Sequence, residues 1–176
     1  MTPSRPMTFL AGAAVVPLAA LADAGCGGGS SGASASPAPP KTASGAPATV
    51  GVAKTGLGKI LVDSQGRTLY LFKKDSGTKS ACTGACASAW PPLRANGKAT
   101  VGSGANASLI AITARSDGKP QVTYGGHPLY LFQGDQKAGD TNGQGVTAFG
   151  GGWFTLSAAG HQVAGKPASS GGGNGY

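Results

Sequence analysis

The chain has 176 residues, a formal net charge of +8, 32 glycines, 11% charged residues and not one glutamate. That length holds one ordinary domain, and the missing glutamate argues against long surface helices, leaving short strands joined by tight turns. Beyond residue 25 there are 13 basic residues against five aspartates, so the positive balance belongs to the body of the protein; the visible cluster, Lys73, Lys74 and Lys79, carries no recognition motif, which argues against nucleic acid.

Such a surface suits anionic lipid or an anionic envelope polymer, each basic residue adding about 1 kcal/mol near it before salt screening. The plainer alternative is a solvated, spread-out charge.

The first segment, residues 1–25, reads as an export signal. Arg5 precedes the apolar run FLAGAAVVPLAALA, from Phe9 to Ala22, which is short for a bilayer span and interrupted by Pro17. Two cleavage readings compete. Ala22-Asp23-Ala24 fits ordinary secretion, whereas Ala24-Gly25-Cys26 resembles the end of a bacterial lipoprotein signal, with Asp23 where an apolar residue is usual. The cysteine count favours the second: Cys82 and Cys86 can satisfy each other, which would leave an unmodified Cys26 as an odd, exposed thiol. Acyl chains on Cys26, at about 0.8 kcal/mol per buried methylene, would hold the protein at the outer face of the cell membrane. From Cys26 to residue 52 the Gly/Ser/Ala/Pro-rich chain is expected to be a disordered tether, and residues 164–176 a disordered tail.

Residues 53–163 read as an all-β domain. LGKILVD, Ser64-Gln65-Gly66 and RTLYLF form one expected hairpin, and PQVTY, Gly125-Gly126 and HPLYLF its counterpart. LIAITAR adds a strand followed by a Ser116-Asp117-Gly118 turn, and WFTLSAAGHQV a further hairpin. The ten residues GRTLYLFKKD at 66–75 return as GHPLYLFQGD at 126–135. In each copy the four consecutive apolar residues predict a central strand covered on both faces. Two copies are too few for a solenoid, so the repeats, about 54–95 and 108–160, are expected to share one pseudo-two-fold core, sandwich or barrel-like.

The motif residues Tyr70, Phe72 and Asp75, repeated as Tyr130, Phe132 and Asp135, resemble the Y-x-[FWY]-x-x-D signature of the bacterial "secreted repeat of unknown function" lipoproteins. The words CTGACASAWPPL, RSDGKPQVTYGGHPLY and GDTNGQGV resemble the same family. The resemblance implies a tandem repeat behind a lipidated cysteine, and no activity. Each aspartate closes its strand where a loop begins. The structural reading is a carboxylate accepting backbone N–H bonds to fix a turn; the functional one is a ligand contact.

Cys82 and Cys86 are four apart, a spacing that a regular helix holds too wide for a disulfide. A bridge between them therefore implies an irregular turn, which Gly84 permits. The redox alternative lacks C-x-x-C spacing. Asp135, Asp140 and Asn142 could offer oxygens to calcium, yet the loop lacks the six to eight ligands and the bidentate Glu of a calcium hand, so a polar turn is preferred and no cofactor is expected. His127 and His161 lack partners at metal spacing, and Trp90 and Trp153 read as core or edge aromatics.

Three function classes fit these features. The preferred one is a non-enzymatic, lipid-anchored envelope module that binds a polymer, another envelope protein or a small ligand, with a secreted soluble form as the alternative location. The second is a redox- or metal-associated envelope protein using Cys82/Cys86 or the 135–142 loop. The third, a hydrolase, lacks a nucleophile elbow or a paired acidic motif.

Overall fold

The computed structural model describes residues 47–165. The signal assigned to residues 1–25, Cys26 and most of the assigned tether and tail lie outside the described residues. In chain order the elements are β1 (Thr49–Thr55), β2 (Gly58–Val62), β3 (Tyr70–Phe72), α1 (Ala85–Ala89), β4 (Thr100–Val101), a short 3-10 helix (Ala107–Leu109), β5 (Ile110–Ala114), β6 (Pro120–Tyr124), β7 (His127–Pro128), β8 (Thr147–Ala148) and β9 (Gly151–Thr155). Three small sheets result, ordered β2-β1-β4, β3-β9-β8 and β5-β6-β7. Among the described residues the strands do not close into a barrel.

β1 starts at Thr49, inside the segment assigned to the tether. The correction has a simple cause: Val50 is fully buried and Val52 packs against the same core, so period-two burial begins before the composition changes. β1 and β2 then pair antiparallel from Gly51↔Val62 to Thr55↔Gly58. The second hairpin, β5–β6, has the corresponding place in the other repeat, pairing Ile110↔Tyr124 through Ala114↔Pro120.

The doubled Leu-Tyr-Leu-Phe stretches meet at the centre. Tyr70 and Tyr130 face each other antiparallel and exchange both backbone hydrogen bonds, at 2.9 and 3.0 Å. Equivalent residues opposed in an antiparallel pair define a local two-fold axis, and it runs between these two tyrosines. Each repeat then lends its tryptophan segment to the other. β9, carrying Trp153, pairs with β3 of the first repeat, from Tyr70↔Thr155 to Phe72↔Trp153. Residues 91–93, following Trp90, lie against 129–131 of the second, with Leu93 N–H donating to Leu129 O and Leu131 N–H to Pro91 O, both at 2.8 Å. The symmetry continues through Leu61 N–H to Leu156 O and Val122 N–H to Leu93 O.

The second copy is not a full strand as expected. Strand β7 ends at Pro128, and Tyr130 makes only isolated bridges, to Tyr70 and to Pro92. Pro91 and Pro92 have no N–H to donate, so a continuous ladder cannot form on that side.

Alternation along these strands sorts two layers. Leu69, Leu71, Leu129 and Leu131 join an aliphatic core with Val50, Leu61, Val122 and Leu156. Tyr70, Phe72 and Tyr130 point the other way, into a layer with Trp90, Trp153, Cys82 and Cys86. Both faces of the doubled stretch are thus covered, which explains its unbroken apolar run.

Candidate functional site

The motif residues of the two repeats are interlocked. Tyr70 donates its hydroxyl to Asp135 Oδ2 at 2.7 Å, and Tyr130 donates to Asp75 Oδ2 at 2.9 Å. Each tyrosine is therefore held by the other copy's aspartate. The second oxygen of each carboxylate accepts a backbone N–H, from Ala81 to Asp75 at 2.8 Å and from Asn142 to Asp135 at 2.9 Å. Both aspartates do secure their loops, but they also tie the repeats together through a charge-assisted bond.

Burial sets the electrostatics of these pairs. Desolvation pushes both aspartate carboxyls above their ordinary value, partly opposed by the N–H and O–H donors around them. Desolvation likewise raises both phenols, reinforced by the carboxylate charge beside each. At neutral pH the tyrosines accordingly remain protonated donors.

The aromatic rings repeat the exchange. Phe72 stacks on Trp153 with centroids 4.1 Å apart, Trp153 on Trp90 at 3.9 Å, and Trp90 on Phe132 at 4.1 Å. Tyr70 meets Trp90 edge-on, as Tyr130 meets Trp153. A four-ring column thus alternates residues of the two repeats in symmetric order. Gly143 lets its loop close over the column, because a Cβ there would stand 2.8 Å from both the Trp90 and the Tyr70 rings.

Cys82 and Cys86 form a disulfide against this layer, with a Cα–Cα distance of 5.2 Å. Cys82 precedes α1, and Gly84 at φ 54 makes the irregular turn that the spacing required. Both cysteines are buried.

Arg115, at the end of β5, carries a role that its sequence surroundings did not reveal. It is 5% exposed, and its guanidinium donates to Ser80 Oγ at 2.8 Å, Gln121 Oε1 at 2.7 Å and Cys82 O at 2.6 Å. Ser80 Oγ in turn lies 2.7 Å from the Tyr130 hydroxyl. A cation of the second repeat thereby fixes the disulfide loop of the first. The turn word RSDG was the available signal, but nothing in it says that the arginine folds inward.

The 135–142 loop arranges its oxygens for internal bonds. Asp140 Oδ2 accepts the Gln136 and Lys137 N–H groups at 3.0 and 3.1 Å, and the Asn142 amide donates to Gly134 O. Among the described residues no group of three His, Cys or acidic side chains is gathered as for a metal. His127 is partly buried, its imidazole held below its ordinary value by burial and by nearby Lys73 and His161.

The exposed charge is mostly basic, Asp117 being the one exposed carboxylate among the described residues. Eight lysines among the described residues are exposed, and none takes part in an ion pair there. The three ion pairs use arginines only. Phe149, at the β8–β9 turn, is 43% exposed and has φ 55.

Fold and site define a class: an all-β domain of two tandem repeats joined by reciprocal Tyr–Asp bonds and a shared aromatic column. The chain belongs to the family described as a secreted repeat of unknown function, whose model matches residues 51–94 and 111–157, together more than half of its length. Neither the curated proteins nor the solved structures contain a significant match to it. The family description points to export, and no helix among the described residues is long and apolar enough to cross a membrane.

Proposed function

We propose that the protein is a non-enzymatic envelope module, lipid-anchored through Cys26 at the outer face of the cell membrane, that binds an anionic envelope polymer with its lysine-bearing surface. One observation carries the reading: the motif's hydroxyls and carboxylates are bound to one another in the interior, so the repeat signature serves as scaffold and recognition falls to the exposed lysines. The buried disulfide fits the same reading, as a staple of the aromatic layer. Closing so short a loop contributes about 2 kcal/mol on the chain-entropy model. Anchoring rests on Cys26 following Ala24-Gly25 in an exported family.

The test is fractionation of cells expressing the wild-type chain and Cys26→Ser. The lipid-anchored protein is expected in the membrane fraction and to partition into detergent, while Cys26→Ser is released. Membrane retention of the variant, or a native N-terminus beginning after Ala24, would overturn the anchor.

A further inference from the structure

The β1–β2 register sets Lys54 directly opposite Lys59. Like charges facing each other across an antiparallel pair are unfavourable, and the described residues bring no carboxylate within ion-pair distance of either. The two exposed side chains border a cavity of about 310 Å³, lined also by Val52, Ser103, Gly104 and Ala158, with no acidic residue in its lining.

Its walls are held firmly. Val52 donates its N–H to Ser103 O at 2.9 Å, and Gly102 donates to Val50 O at 2.7 Å, fastening the 102–104 loop along β1. Gly104 sits at φ 77 so close to β1 that a Cβ would meet Val52 Cβ at 3.1 Å, an approach open to glycine alone. On the far side the Ala158 carbonyl accepts the Tyr124 hydroxyl at 2.7 Å. The result is a fixed, partly apolar recess flanked by two flexible ammonium groups.

From this geometry we infer that the Lys54/Lys59 recess is a binding site for a phosphodiester unit of an anionic envelope polymer. The inference rests on the proposed envelope reading and names its ligand class. Lysine acts as a compact point charge suited to phosphate, and one bound anion would relieve the repulsion between the pair. Val52 and Ala158 offer apolar surface to the ester carbons. A lipid surface fits less well, since the exposed large apolar side chains, Ile112 and Phe149, are absent from the lining.

The test uses the full chain and three probes: a poly(glycerol phosphate) chain, poly-glutamate, and phosphatidylglycerol vesicles. Lys54→Ala/Lys59→Ala is compared with Lys119→Ala/Lys137→Ala, which removes the same charge elsewhere. Each lysine near an anion is worth about fivefold in affinity, so the first variant is expected to lose tenfold or more for the phosphate polymer and the second less than threefold. Lys59→Glu supplies an independent readout, with the ligand-free melting temperature rising and polymer binding abolished. Equal losses in the two double variants would overturn the recess while leaving a diffuse basic surface. Tighter cleft-dependent binding of poly-glutamate or of vesicles would overturn the phosphodiester polymer as occupant. Failure of the wild-type chain to bind any probe would also overturn the site, whereas fractionation of Cys26→Ser does not depend on these lysines and judges the anchor separately.

Discussion

If the two repeats are locked through each other's motif, removing one hydroxyl should be felt by the opposite copy. Tyr70 is fully buried and Asp135 is 9% exposed, with 2.7 Å between the bonded oxygens. Deleting a buried donor to a charged group costs about 1.5–3 kcal/mol, so Tyr70→Phe should destabilise the domain by that amount and Tyr130→Phe similarly. A small domain has about 5–15 kcal/mol to lose, which places the double variant near the edge of folding. The cross-repeat claim is tested by double-mutant cycles in urea, read by the fluorescence of Trp90 and Trp153. Tyr70→Phe with Asp135→Asn should show a coupling of about 1–2 kcal/mol, because they delete one bond between them. Tyr70→Phe with Asp75→Asn, which share no hydrogen-bond partner, should add within about 0.5 kcal/mol. Coupling that is stronger within a repeat than across repeats would refute the interlock.

Phe72→Ala should cost about 3–5 kcal/mol through a cavity in the aromatic column, and Phe132→Ala about 2–3 kcal/mol, because Phe132 is only partly buried; chemical denaturation orders the two. Burial raises the Asp75 and Asp135 carboxyls above their ordinary 3.8, so their favourable contribution is complete below that pH and is lost as pH rises through the raised folded values. Urea midpoints measured from pH 3 to 7 should therefore fall for the wild type relative to Asp75→Asn/Asp135→Asn, and a relative rise would contradict the burial of these groups. Phe149→Gly should raise stability by about 1 kcal/mol, since a left-handed backbone penalises a phenylalanine; thermal melts decide it.

Local pattern alone determined much of this protein. Period-two alternation and a glycine-bearing turn marked the hairpin at 120–128, the doubled Leu-Tyr-Leu-Phe announced strands covered on both faces, and the Cys82–Cys86 spacing demanded the turn that Gly84 makes. These features were legible because they depend on residues a few positions apart, where side-chain period and backbone freedom act directly. The hairpin expected from LGKILVD to RTLYLF is reduced to the single Val62↔Thr68 bridge, because β2 pairs with β1 and β3 with β9. The start of β1 was misjudged by composition, since Val50 and Val52 are buried within chain that otherwise looks like linker. Only the tertiary structure decided that each tyrosine finds the other repeat's aspartate, 65 and 55 positions away, that the tryptophans trade places to stack, and that Arg115 turns inward. A motif names the groups that need partners, and within one copy those needs look like a turn cap and a core ring. Which partner satisfies them is set by the antiparallel meeting of Tyr70 and Tyr130. The Lys54/Lys59 recess was likewise beyond local pattern, for β1, the 102–104 loop and Ala158 are adjacent only in the folded chain.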